Sequence, residues 1–184
     1  MLKLIKQTDI SGEAYSIRDK TFFLLLFLTG LRRGELSNLR WSNVDFNNKN
    51  IRLLNTKGRS SRVVPLVEPL LSYLKMYKKW RNADINDYVI VSESGNRMSE
   101  TSVEVLFRKY VKLCELEGKG YTPHKCRHTF ATNMAKGGLS TIELADLLGH
   151  KDLNTTRIYT HMNTADIGIK VQNADLVKSI QDIL

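Results

Sequence analysis

The hydrophobic pattern of this chain is mostly helical, with one change of period near its middle. Residues 18–28 hold the longest apolar run of the chain, from Phe22 to Leu28. That predicts a buried helix ended by Gly30. A short second helix is expected over 33–39. The period then changes: 44–46, 51–54 and 62–66 are short β-prone pieces, separated by turns at 47–50 and at Lys57, Gly58 and Arg59. Such pieces, joined by Asn- and Gly-bearing turns, predict a small antiparallel sheet. Helix resumes over 68–80, where Leu70, Leu71, Leu74 and Tyr77 share a face. A short extended piece at 88–91 leads to a helix over 99–116, capped by Ser99 and ended by Gly118 and Gly120.

The C-terminal third carries clear punctuation. Thr122 is placed to cap a helix that opens with Pro123, and Gly137 with Gly138 stops it. Ser140 and Glu143 have capping-box spacing, opening a helix that Gly149 ends. A short helix over 154–161 and a weakly amphipathic one over 173–184 complete the expectation. The fold class is mainly α with a small antiparallel β-sheet (α+β), with no internal repeat and no visible domain boundary.

Composition narrows the partners. Among 184 residues, 28 are basic and 19 acidic, giving a formal charge of +9. That surplus suits a polyanion, because each phosphate neutralised releases counterions, but charge alone names no reaction. The longest apolar run is too short to cross a bilayer, which needs about 20 residues, and no export leader opens the chain. Two cysteines, Cys114 and Cys126, do not make a disulfide framework and are read as reduced thiols of a cytoplasmic protein.

Chemistry concentrates late in the chain. All four histidines, His124, His128, His150 and His161, fall between positions 124 and 161, together with Arg127, Arg157 and Tyr159. A metal site on His124, Cys126 and His128 is disfavoured, since alternate residues on a helix point to different sides. No nucleotide-binding glycine loop is present either. His124 and Arg127, three apart, share a helical face near a helix N-terminus, where backbone amides and the dipole favour an anion. His128 falls on another face and is expected to support the core. Cys126 is expected to face the core as a small hydrophobe.

The run Thr122-Pro123-His124-Lys125-Cys126-Arg127-His128-Thr129 resembles the second conserved box of the tyrosine recombinase (phage-type integrase) family. Its continuation is Leu147-Leu148-Gly149-His150 followed by Arg157-Ile158-Tyr159. Thr29-Gly30-Leu31-Arg32-Arg33-Gly34-Glu35-Leu36 is similar to the first box, and Lys57 fits the family's lysine in a turn between two strands. The resemblance implies the catalytic-domain fold of that family. It also implies a reaction in which Arg32 and Arg127 clamp the scissile phosphate. His124 assists there, His150 hydrogen-bonds a non-bridging oxygen, Lys57 is the general acid and Tyr159 the nucleophile. The product of cleavage is a 3′-phosphotyrosine link to double-stranded DNA, formed with no cofactor, metal or ATP.

The same resemblance implies a homotetramer on DNA for the full-length protein, and a monomer for residues 1–184 alone, read as a single catalytic domain lacking an N-terminal DNA core-binding domain. A DNA relaxation activity of the type IB topoisomerase kind and a non-catalytic DNA-binding remnant are the competing readings.

Overall fold

The computed structural model describes residues 1–10, 13–53, 61–149 and 164–184. Its elements run α1 (Leu2–Gln7), α2 (Glu13–Thr29), α3 (Arg33–Asn38), β1 (Val44–Asp45), β2 (Asn50–Leu53) and β3 (Arg62–Pro65). They continue α4 (Leu70–Arg81), α5 (Glu100–Leu113), α6 (Pro123–Lys136), α7 (Thr141–Leu148), α8 (Thr164–Asn173) and α9 (Asp175–Gln181). The mainly helical fold with a small antiparallel sheet is the one expected.

Every residue of α2 from Arg18 to Thr29 is buried, polar ones included, and the helix packs against both α4 and α6. Burying each of its large apolar side chains contributes roughly 1.5–3 kcal/mol. The polar groups on this helix are matched. The buried Asp19 carboxylate accepts from Arg18 Nε at 2.7 Å and from the Tyr110 hydroxyl of α5 at 2.7 Å. Phe23 meets Phe107 and Tyr110 of α5 with ring centroids 5.8 and 5.0 Å apart. Thus α2 is the post around which the other helices stand.

The sheet has the order β1-β2-β3, antiparallel throughout. Val44 pairs with Ile51, Asn50 with Pro65 and Leu53 with Arg62. Burial along β3 shows the alternation of a half-covered strand at its start: Arg62 is buried, Val63 exposed and Val64 buried. The side chain of Arg62 therefore faces the same way as the apolar Val64.

Helix caps fall where the residue types predict. Thr122 Oγ1 accepts from Lys125 N at 3.2 Å, Ser99 Oγ from Ser102 N at 3.0 Å, and Ser140 with Glu143 forms the capping box. Three expectations need correction. The helix from Glu100 stops at Leu113 rather than at the glycines beyond it, with Glu115 in the left-handed region at φ 54°. The helix expected over 173–184 is present but shorter: α9 spans Asp175–Gln181, and the extended Ala174 separates it from α8. His128 does not support the core; it is exposed on α6. The buried stripe of that helix is instead Cys126, Phe130 and Met134, with Arg127 beside it. Cys126 faces the core as expected, and burial pushes its thiol up to about 12. The helix expected over 154–161 lies outside the described residues. Among the described residues no helix is long and apolar enough to cross a membrane.

Candidate active site

Two helix ends meet beside α6. Helix α2 ends at Gly30 with φ 61°, and α7 ends at Gly149 with φ 65°. Both positions require glycine for two reasons. The left-handed backbone is costly for other residues, and a Cβ on Gly30 would lie 2.5 Å from the Phe130 ring. A Cβ on Gly149 would lie 3.0 Å from Cδ of Arg62. Helix C-termini leave carbonyl groups without partners and carry the negative end of the dipole. A cation held between two such ends satisfies both.

Arg127 is that cation. It is 8% exposed, and its Nη1 donates to Gly30 O at 2.6 Å while its Nη2 donates to Leu148 O at 2.7 Å. Arg32, the N-cap of α3, reaches the next carbonyl, donating from Nη2 to Gly149 O at 3.0 Å. Two arginines from distant parts of the chain are thus pinned to consecutive carbonyls at the end of α7. The neighbouring Arg33 goes the other way and pairs with Glu100 and Glu104 of α5 at 3.1 and 3.2 Å.

Glu35 binds the cluster together. Its carboxylate accepts from the Arg32 backbone N–H at 2.6 Å, from Arg32 Nη1 at 2.9 Å, and from Nη1 and Nη2 of Arg62 at 2.5 and 2.7 Å. Burial pushes this carboxyl up, but the hydrogen bonds and charge of Arg62, with the contacts from Arg32, outweigh it and hold the group down to about 2. Arg127 is pulled down to about 10, first by burial and then by the nearby charges of Arg32 and Arg62. It stays protonated at neutral pH.

Three guanidinium groups against one carboxylate leave this cluster at +2. Their mutual repulsion favours an incoming anion. The side chain of Arg32 is 33% exposed, and with one bond made by each Nη it retains N–H donors for such an anion. His124 stands one turn before Arg127 in the first turn of α6 and is exposed.

Of the residues expected to carry chemistry, Arg32 and Arg127 are brought together, and His124 lies on the same helix as Arg127. Lys57, His150 and Tyr159 lie outside the described residues. Reading the sequence missed the roles of Glu35 and Arg62. Glu35 had a signal, being three residues after Arg32 at the position where a capping-box acid sits. Arg62 had a weaker one, a charged residue in phase with the buried Val64.

Comparison with known proteins adds an independent line. A model of the phage integrase family matches residues 1–166. Tyrosine recombinase XerA of Pyrococcus horikoshii is 35% identical over 171 residues, covering 93% of this chain and 60% of that protein. Tyrosine recombinase XerC of Actinobacillus pleuropneumoniae is 35% identical over 160 residues, covering 85% of this chain and 51% of that protein. The crystal structure of XerA recombinase superposes with a TM-score of 0.71 at 28% identity, covering 98% of this chain and 61% of that one. XerH site-specific recombinase, in its pre-cleavage complex with the difH substrate, has the same fold, with a TM-score of 0.69 at 24% identity over 90% of this chain and 49% of that one. The chain thus spans between half and about three-fifths of the length of these relatives.

Proposed function

This chain belongs to the phage integrase family of tyrosine recombinases, and on that premise we propose that it cuts and rejoins double-stranded DNA at specific sites, with the Tyr159 hydroxyl as nucleophile. The observation that carries the reading is the anchoring of Arg32 and Arg127 on consecutive carbonyls, Gly149 O and Leu148 O, immediately before His150. A cluster of charge +2 suits the extra negative charge that builds on the equatorial oxygens of a phosphate under attack. Guanidinium forks stay protonated and offer paired donors for that geometry.

In this mechanism the Tyr159 phenol gives up its proton to solvent, and its oxygen forms a bond to phosphorus as the bond from phosphorus to the 5′-oxygen breaks. The leaving oxygen takes a proton from Lys57, while His124 and His150 hold the remaining phosphate oxygens. The unperturbed phenol pKa is about 10, so attack at neutral pH depends on the cationic surround. The phosphotyrosine keeps the energy of the broken bond, and attack by a 5′-hydroxyl from the partner duplex reverses the step. Neither ATP nor a metal ion is required, because the guanidinium cluster supplies the stabilising charge. The working form is a homotetramer on DNA inside the cell, the chain alone being a monomer, and residues 1–184 act as a catalytic domain.

The test is strand exchange between two labelled duplexes carrying the DNA that flanks the encoding gene. Recombinant joints that form equally well with a chelator present are expected. Relaxation of supercoiled DNA with no joints would instead identify a topoisomerase-like activity and overturn the reading.

A further inference from the structure

Arg62 is given no contact with the phosphate in the chemistry proposed above, yet it is built into the cluster and supplies part of its charge. It begins β3 opposite Leu53 and is buried. Its Nη1 and Nη2 are both committed to Glu35 at 2.5 and 2.7 Å, and its Nε finds no acceptor among the described residues. Gly149 packs so closely on it that a Cβ there would lie 3.1 Å from Nη1. Burying a carboxylate with a guanidinium is a poor way to gain stability, since desolvating the pair offsets most of their attraction. Packing alone is therefore a weak reason for an arginine at this place.

The reason emerges from Glu35. That carboxylate already accepts from the backbone and side chain of Arg32. Without Arg62 it would be free to bridge both Nη groups of Arg32, and the cluster would fall from +2 to +1. Arg62 takes one bond at each carboxylate oxygen and leaves Arg32 with a single side-chain contact to Glu35. Its field also reaches Arg127.

We propose that Arg62 is a positioning residue of the phosphate clamp: by occupying both oxygens of Glu35 it keeps that carboxylate from neutralising Arg32, and so sets both the charge of the cluster and the aim of the Arg32 guanidinium. The inference rests on reading the cluster as a phosphate site, and it is specific about charge. Losing Arg62 takes the cluster to +1 while Glu35 is present, and losing Glu35 as well returns it to +2.

The test uses the 184-residue chain and inorganic phosphate at constant ionic strength, with binding read from the rise in melting temperature as phosphate is added. Wild type is expected to be protected. Arg62→Met is expected to bind phosphate about tenfold more weakly, the usual size for one unit charge a few ångströms beyond contact. Adding Glu35→Gln to Arg62→Met is expected to bring binding back to within about threefold of wild type, because the cluster returns to +2. Arg62→Lys keeps the charge without the fork and is expected to fall between.

A folded Arg62→Met chain that binds phosphate as wild type does, or a double variant as weak as the single one, overturns the proposal, as does a wild-type chain that phosphate does not protect. Where Arg62→Met does not fold, Arg62→Lys is compared with and without Glu35→Gln, which raises the cluster by one charge; tighter binding by the double variant is expected, and equal binding by those two overturns the proposal. The functional reading fails separately. A wild-type chain with this order of phosphate affinities that forms no covalent bond to DNA leaves the role of Arg62 standing and removes the cleavage chemistry.

Discussion

At the scale of the residue, the site is a problem in crowded charge solved by one carboxylate. Glu35 is held down to about 2 in the folded chain against an ordinary value of 4.5. A group depressed on folding contributes stability that is fully present above its unfolded value and lost as pH falls through the folded one. The Glu35 contribution, on the order of 3 kcal/mol, is therefore expected to disappear between pH 4.5 and about 2. Glu35→Gln should be less stable at neutral pH and should show a shallower loss of stability in that acid window. Urea midpoints measured against pH check this, and curves that stay parallel to wild type would contradict it. Arg32 and Arg127 were legible in the sequence because each sits in a dense local motif. The pair of Glu35 with Arg62 was not, since the partners are 27 positions apart and a local pattern holds no sign of which acid a buried arginine will meet.

At the scale of the element, legibility followed the punctuation. The caps at Ser99, Thr122 and Ser140 and the stops at Gly30 and Gly149 stand where residue chemistry puts them. α1 and α8 were missed. α1 is a six-residue helix whose buried Leu4 and Ile5 are too few to show a period, and α8 has only Ile167 and Val171 buried. In both, tertiary packing and not local pattern decides the conformation. The stop at Gly30 does more than end α2, because it fixes the carbonyl that holds Arg127. Gly30→Ala is expected to cost roughly 1–2 kcal/mol for the left-handed backbone alone, and more for the collision with Phe130 and Leu148. A thermal melt checks it. An unchanged melting temperature would mean the end of α2 is looser than described, and the anchoring of Arg127 with it.

At the scale of the whole molecule, a single apolar core built on α2 lets residues far apart in sequence act at one place. The first box lies at the C-terminal end of α2, β3 contributes Arg62, and the second box enters through α6 and α7. The chain as a whole carries +9, which suits DNA of any sequence, whereas the buried cluster offers +2 at one point. Binding and chemistry are thus separable. The most direct measurement is covalent trapping on a nicked duplex that carries the flanking site and loses its 5′-end on cleavage. A protein–DNA adduct that maps to Tyr159 is expected, lost in Tyr159→Phe and formed at least about 10²-fold more slowly in Arg127→Ala. Salt-sensitive binding of that duplex with no adduct, or an adduct that survives in Tyr159→Phe, would contradict this chemistry.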